Sequence, residues 1–123
     1  IEEVLLETHR PYYKQVGPVL DKVHGMAHIT GGGYTENVPR ILPEAVTASF
    51  DTGAWPVLPV FQLIQQRGEI SNEEMYEVFN MGIGLVLMVA AEDADEVRAA
   101  IPEALTIGSI QPWTGRPVEL KGI

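Results

Sequence analysis

The feature that most constrains the fold of this chain is the apolar run IGLVLMVAA, Ile83 to Ala91. A strand at this position presents apolar side chains on both of its alternating faces. Such a continuous run is typical of a strand that other elements cover on both sides. It is too short to span a membrane as a helix, and nowhere in the chain do 18 consecutive apolar residues occur. The run therefore predicts a covered strand inside a layered domain.

Other short patterns predict the elements around this strand. Apolar runs bounded by turn residues indicate four further strands, at 23–30, 45–51, 105–110 and 116–120. Strands and helices do not alternate strictly, so we predict an α+β fold with a mixed, largely antiparallel sheet. The length of 123 residues fits one domain over residues 1–123.

Helical spacing and capping residues predict five helices. The first two are a helix at 12–23 that Pro18 kinks or restarts, and a short helix capped by Asn37 that ends before Pro43. The third has the buried stripe Val57, Val60, Phe61 and Ile64 and ends at Gly68. The fourth opens at Ser71 and buries Met75, Val78 and Phe79. The fifth runs from Asp93 to near Pro102.

Three consecutive glycines in HITGGGYTENVPR, His28 to Arg40, mark a candidate site. They make positive φ angles accessible and let a ligand or another backbone approach closely. Between a strand and a helix start, such a loop can direct N–H groups at an anion such as a phosphate. It is neither a P-loop nor a dinucleotide fingerprint, because no Gly-Lys-Ser/Thr follows and Tyr34 comes directly after the glycines. A tight strand-to-helix turn without a ligand fits the same pattern.

A second glycine turn, FNMGIG at Phe79 to Gly84, joins a predicted helix to the apolar strand. The side chain of Asn80 both donates and accepts hydrogen bonds, so residues 80–84 are suited to line a cleft at the end of the sheet. A helix C-terminal cap followed by a tight strand entry fits the same residues. The pattern leaves both interpretations open.

The residue types do not indicate a metal site. The chain has no cysteine, which removes thiolate ligands, disulfides and a cysteine nucleophile. His24 and His28 lie four residues apart on a predicted strand, about 13 Å along it, which is too far to share one zinc ion. The acidic pairs lie in the first turns of predicted helices, where negative charge is favourable. We therefore predict no metal ligands in this chain.

Charge and composition exclude further classes. With 8 basic and 17 acidic residues, the net charge is −9, and no basic stripe for nucleic acid exists. The opening IEEVLLETHR has neither a basic region nor an unbroken apolar core, so we do not expect it to act as a secretory signal. The absence of cysteine fits a cytoplasmic protein. Because the chain does not start with Met, we expect it to be a piece of a longer one.

Three stretches together resemble the C-terminal domain of the phosphoribosylformylglycinamidine cyclo-ligases, also called AIR synthetases. They are HGMAHITGGGYTENVPRILPE, WPVLPVFQLIQQRGEISNEEMYEVFNMGIGLVLMV, and the opening Leu5-Leu6 with Arg10, Tyr12 and Lys14. The similarity runs from about Leu5 to Leu120. The order of the motifs His-Ile-Thr-Gly-Gly-Gly, Glu-Asn-Val-Pro-Arg and Phe-Asn-Met-Gly-Ile-Gly makes it specific.

The resemblance implies a layered α/β/α domain within a two-domain subunit that binds its ligands between the domains. It implies a cytoplasmic, ATP-dependent ligase of de novo purine biosynthesis that converts formylglycinamidine ribonucleotide to aminoimidazole ribonucleotide, ADP and phosphate. ATP and Mg²⁺ would be held mainly by an N-terminal domain that residues 1–123 lack. The implied partners are the nucleotide substrate, that N-terminal domain and a second copy in a homodimer, without nucleic acid or membrane.

The resemblance also implies that the two glycine segments face a ligand. The residues expected to bind substrate or nucleotide are His28, Thr30, Gly31, Gly32, Gly33, Asn37, Arg40, Asn80, Met81 and Gly82. No catalytic residue is assigned, and Asn80 can orient a ligand but not act as a general base. The chain departs from the family at Thr8-His9, where the family has Pro-Thr, so the entry to the first helix is expected to shift.

A second interpretation comes from a different class. The chain would be a non-catalytic ligand-binding or assembly module that keeps the same superfamily fold. An Asp- and Gly-rich ATP-binding domain upstream in the reading frame would favour the ligase, and its absence the module. On either interpretation, we expect the 123 residues alone to fold, to be inactive toward ATP, and to self-associate through uncovered apolar surface.

Overall fold

A computed structural model describes residues 2–123. The strands are β1 (Val23–His28), β2 (Val46–Asp51), β3 (Leu85–Val89), β4 (Gly108–Pro112) and β5 (Val118–Lys121). The α-helices are α1 (Glu2–Leu5), α2 (Tyr13–Val16), α3 (Gly33–Asn37), α4 (Pro59–Gly68), α5 (Asn72–Val78) and α6 (Ala94–Ala100). Short 3₁₀ helices cover Gly17–Lys22, Pro39–Ile41 and Ala91–Asp93.

The strands pair in two sheets. β1 pairs antiparallel with β3, while β2 lies between an antiparallel β4 and a parallel β5. The helices and the mixed, largely antiparallel pairing confirm the predicted α+β fold. In the described residues β3 and β4 each have a hydrogen-bonded neighbour on one side only, a division that the sequence did not predict.

The main core lies between the glycine loop, β2 and α5, and aromatic rings fill its centre. The Tyr34 side chain is fully buried, with its ring centroid 5.2 Å from that of Phe50 and 5.9 Å from those of Trp55 and Tyr76. A smaller cluster of Val19, Val97 and Ile101 lies under α6. Among residues 2–123, no helix has the length and apolar character needed to span a bilayer.

Three of the predicted helices form differently. Asn37 does not cap a helix: α3 begins at Gly33, because Gly32 takes a left-handed φ of 92°, and Asn37 is its last residue. The helix predicted at 12–23 divides into α2 and a 3₁₀ helix that contains Pro18, since proline lacks the N–H that a continuous α-helix needs. α4 passes through Gly68 and ends with Glu69 in the left-handed conformation.

Three burial predictions are also wrong. The predicted stripe of Val57, Val60, Phe61 and Ile64 is only partly buried, and Val57 precedes the first residue of α4. In α5, Met75 is buried as predicted, but Tyr76 takes the second core position and Val78 is 49% exposed. The strand at 83–91 is confirmed as β3, yet Val86 is its only buried residue. Cover on both faces of β3 is therefore incomplete in this part of the chain.

Candidate functional site

The glycine loop, Thr30 to Gly33, is fixed by the side chain of Asn37. Nδ2 of Asn37 donates to the carbonyl oxygen of Gly33 at 2.7 Å and to those of Thr30 and Gly31 at 3.3 Å. Oγ1 of Thr30 donates to Oδ1 of Asn37 at 3.3 Å. Because Asn37 is buried at 6% exposure and engaged at both amide atoms, its role is to shape the loop.

This arrangement determines where the loop amides point. In a trans peptide the N–H lies opposite the C=O of the same unit, and no described peptide bond is cis. The carbonyls of Thr30 and Gly31 turn toward Asn37, so the N–H groups of Gly31 and Gly32 turn away from it. Neither of these N–H groups has a backbone acceptor within residues 2–123. The loop therefore presents two adjacent amide donors.

The three glycines serve different purposes. Gly33 has a φ of 56°, and a Cβ there would overlap the carbonyl oxygen of Tyr76, so this glycine lets the loop lie directly on α5. Gly32 has a φ of 92°, and a Cβ there would collide with the side chain of Glu36. A Cβ on Gly31 would meet no atom within 4 Å. The fold therefore explains Gly32 and Gly33 and leaves Gly31 facing open space.

The second turn is held by two buried aromatic side chains. Oη of Tyr34 donates to the carbonyl oxygen of Asn80 at 2.8 Å, and Nε1 of Trp55 donates to that of Met81 at 3.0 Å. Oδ1 of Asn80 accepts the N–H of Gly82 at 2.9 Å, which leaves Nδ2 of Asn80 as its remaining donor. The side chain of Met81 is 4% exposed and belongs to the core.

The two turns meet in a small groove of about 280 Å³. Thr30, Gly31 and Asn80 supply its polar lining, and its apolar walls are Ile29, Phe61, Val78 and Phe79. The rings of Phe61 and Phe79 lie 6.0 Å apart between centroids. This volume lies just below the usual range for ligand pockets, so the groove has room for only one portion of a nucleotide.

The other predicted site residues lie outside this groove. Nε2 of His28 meets Nε2 of His9 at 2.6 Å, and the two exposed rings stack at 4.8 Å. Arg40 is exposed on a 3₁₀ helix and lines neither this groove nor the larger cavity of the chain. Gly82 lines that larger cavity, which lies between β3 and β4. The structure thus brings three of the ten predicted residues together in one groove.

The charge around the loop limits what it can bind. The Glu36 side chain lies over Gly32, so a ligand there meets a carboxylate as well as the outward amides. A bare anion would be repelled by that carboxylate, whereas a group with both acceptor and donor atoms would suit both sides. Burial raises the pKa of the Tyr34 phenol, which therefore stays neutral and keeps its hydrogen bond to the turn. Within the described part of the chain, no three His, Asp or Glu side chains group closely enough to hold a metal ion.

Sequence reasoning did not identify Glu36, His9, Phe61, Val78 or Phe79 as part of this region. Phe61, Val78 and Phe79 follow helical spacing, which predicts burial and carries no sign of a groove. The departure at Thr8-His9 was the available signal for His9. Glu36 lies four residues after Gly32, a spacing that becomes informative only once α3 is known to start at the glycines.

Comparisons with known proteins agree with this architecture. The family model "AIR synthase related protein, C-terminal domain" matches residues 1–112. The chain is 47% identical to a phosphoribosylformylglycinamidine cyclo-ligase of Enterococcus faecalis, over 97% of the chain and 35% of that protein. It is 50% identical to the enzyme of the same name from Brevibacillus brevis, over 89% of the chain and 33% of that protein. The chain thus spans about a third of the length of these relatives.

Proposed function

The chain belongs to the family of AIR synthase related proteins, matching their C-terminal domain, and we propose that it forms the substrate-orienting part of a cyclo-ligase. The reaction is the ATP-dependent closure of formylglycinamidine ribonucleotide to aminoimidazole ribonucleotide, with ADP and phosphate as the other products, in de novo purine biosynthesis. The observation that carries the proposal is the groove that both Gly31 and Asn80 line, where the N–H of Gly31 has no backbone acceptor within residues 2–123. The names of the relatives at 46 to 50% identity support the same reaction.

In this proposal, the groove and the part of the glycine loop beside it orient the substrate. The N–H groups of Gly31 and Gly32 donate to acceptor atoms of the ligand, and Nδ2 of Asn80 adds a third donor. The carboxylate of Glu36 accepts from an amidine or amine N–H, a group that the substrate carries. Because backbone amides held by Asn37 do not reorganise on binding, they favour one orientation of the reacting groups.

ATP, when bound, supplies the phosphoryl group that turns the formamide oxygen of the substrate into a leaving group. The donors needed for a nucleotide–Mg²⁺ complex are carboxylates and a cluster of cations, and the groove contains neither. We therefore assign ATP and Mg²⁺ to polypeptide beyond residues 1–123. His28 and Arg40 stay proposed substrate ligands that an adjoining domain would complete.

The wider setting follows from the same proposal. Residues 1–123 represent most of one C-terminal domain, which acts with an N-terminal domain of its own polypeptide. The working protein is a cytoplasmic homodimer that dimerises mainly through the N-terminal domain, and its substrate is a small nucleotide.

A chimera tests the proposal. In it, this chain replaces the matching third of the Enterococcus faecalis relative. We expect ADP release that depends on formylglycinamidine ribonucleotide. Gly31→Val should raise KM about tenfold or more, because a branched side chain enters the groove without disturbing any packed atom.

Gly17→Ala is the matched control, since a Cβ at Gly17 also meets nothing within 4 Å and lies in a 3₁₀ helix outside the groove. It should leave KM and kcat unchanged. A folded chimera without turnover would refute the ligase assignment and favour the binding-module interpretation. Equal KM values for the Gly31→Val and Gly17→Ala chimeras would remove the groove from the substrate site.

A further inference from the structure

A cavity of about 670 Å³ lies beside β3 and β4. Its lining includes all five residues of β3, Leu85 to Val89, and three consecutive residues of β4, Gly108 to Ile110. The lining includes Leu85, Leu87, Gly108 and Ile110, and β3 and β4 each pair with a neighbour on one side only within the described residues. Two strands that each keep one unpaired edge therefore line the same cavity.

The edge of β3 that borders the cavity has free backbone groups. The N–H of Ile29 donates to the carbonyl oxygen of Gly84, which fixes the alternation of the antiparallel ladder between β1 and β3. Val86 then also faces β1, while Leu85 and Leu87 turn their N–H and C=O groups to the opposite edge. No backbone partner for these groups lies in residues 2–123.

One edge of β4 also has free backbone groups. The N–H of Asp51 donates to the carbonyl oxygen of Ile107, so Ser109 faces β2 in the next hydrogen-bonded pair. Gly108 and Ile110 therefore turn their N–H and C=O groups away from β2. Two unpaired strand edges thus border one cavity.

Side chains around the cavity also lack partners. Oε1 of Gln15 is buried and accepts no hydrogen bond within the described chain, and Gln15 lines the cavity. The apolar sequence of β3 predicts cover on both faces, yet Leu85 and Leu87 remain only partly buried. Leu6 is 79% exposed just before the segment that contributes Arg10 and Tyr12 to the lining. An N–H donor and apolar side chains are the groups this cavity lacks.

We propose that a β-strand from polypeptide outside residues 1–123 fills this cavity and joins the two sheets into one. Such a strand bonds to β3 with one edge and to β4 with the other, in the order β1-β3-strand-β4-β2-β5. It supplies apolar side chains to β3 and a donor to Gln15. The relatives are about three times as long as the chain, so they contain polypeptide that can provide it.

A second copy of the chain fits the cavity less well. A strand between β3 and β4 needs both of its edges free, and all five strands already use at least one edge in their own sheets. The occupant is therefore a strand that has no partner until it enters the cavity. The proposal is independent of catalysis, because it concerns backbone pairing on the side of β3 opposite β1.

Amide hydrogen exchange compares the chain alone with the chimera defined above. In the chain alone, we expect the amides of Leu85, Leu87 and Ile110 to exchange rapidly. In the chimera they should slow by about tenfold or more, because stable pairing protects strand amides. The amide of Met26, on the outer edge of β1, is the internal control and should not change.

Ile110→Pro supplies a second measurement. Proline removes an N–H that points to the cavity and spares the bonds to β2, so it should lower the Tm of the chimera more than that of the chain alone. If the chimera does not fold, a designed Val- and Thr-rich strand can be fused to the chain through a Gly-Ser linker. The same amides are then measured in this fusion. Unprotected Leu85 and Leu87 amides in every folded fusion would overturn the proposal. Protection that appears in the chain alone as its concentration rises would assign the edges to a second copy and also overturn it.

Discussion

The glycine-loop half of the molecule and the β3–α6 half use the same kinds of residue and reach different degrees of closure. Under the loop, Tyr34, Val38 and Met75 have no exposed surface at all. Under α6, only Val19, Val97 and Ile101 are buried, and the cavity reaches Val97 and Ile101 directly. The difference lies in the backbone: the loop is hydrogen-bonded to its neighbours, whereas β3 and β4 each leave one edge unpaired. Closure of a core therefore depends on paired strand edges as much as on apolar side chains.

Truncating one buried side chain in each half should give the largest difference in the free energy of unfolding. Tyr34→Ala removes a ring packed among three other aromatic residues and should lower the free energy of unfolding by about 3–5 kcal/mol. Val97→Ala should cost only about 1 kcal/mol, because its surroundings are already open to the cavity and fewer contacts are lost. Urea titration of both variants measures the two values. Equal losses would mean that the two halves are equally well packed.

Two glycines of the glycine loop should show a similar contrast in the free energy of unfolding. Gly33→Ala forces a Cβ into the carbonyl oxygen of Tyr76 at a positive φ, and should destabilise the chain by about 2–3 kcal/mol. Gly31→Ala meets open space and should stay within about 0.5 kcal/mol of the parent chain. Thermal or urea unfolding of both variants decides this. A stable Gly33→Ala chain would show that the loop does not need its close approach to α5.

Local patterns predicted the elements, and long-range contacts decided what those elements do. Ser71 caps α5 as its capping box indicates, because its side chain accepts the N–H of Glu74 within the same turn. Asn37 follows an equally plausible capping pattern but bonds to Thr30 and Gly33, since Gly32 supplies the left-handed residue that starts the helix earlier. The local sequence could not show whether the helix starts at Gly33 or at Asn37.

The candidate site was predicted only in part, because local patterns locate segments whereas long-range contacts decide what each residue does. The motifs located the segments around Gly31 and Asn80, which share the groove. They could not separate residues held by the fold, such as Gly33 and Met81, from residues that face open space. That separation depends on Tyr34 and Trp55, whose bonds to the second turn join positions far apart in the chain.

The smallest expected effect is a loss of stability at alkaline pH, and it comes from the buried phenol of Tyr34 in the glycine-loop half. Burial raises the pKa of Tyr34 above its ordinary value of 10, and the neighbouring Tyr76 adds to this. Below about pH 10, the folded and unfolded states both keep the phenol proton, so the stability is unaffected. Above that pH, the unfolded chain releases the proton while buried Tyr34 retains it, so stability falls as the pH rises. The hydrogen bond with Glu96 also raises the pKa of Lys22, which acts on stability in the same direction in every variant that keeps Lys22.

Tyr34→Phe measures how much of this loss of stability comes from the buried phenol of Tyr34. At neutral pH it should cost about 1 kcal/mol, the usual net value of one hydrogen bond, here the bond to the carbonyl oxygen of Asn80. Between about pH 10 and pH 12 its stability should fall less steeply than that of the parent chain, by up to about 1.4 kcal/mol per pH unit. Tyr13→Phe is the control, since that ring is 88% exposed and should leave both the stability and its slope unchanged. Parallel slopes for the parent chain and Tyr34→Phe in urea titrations across this pH range would show that Tyr34 releases its proton without unfolding. The glycine-loop half would then be as open to solvent as the half beside the cavity.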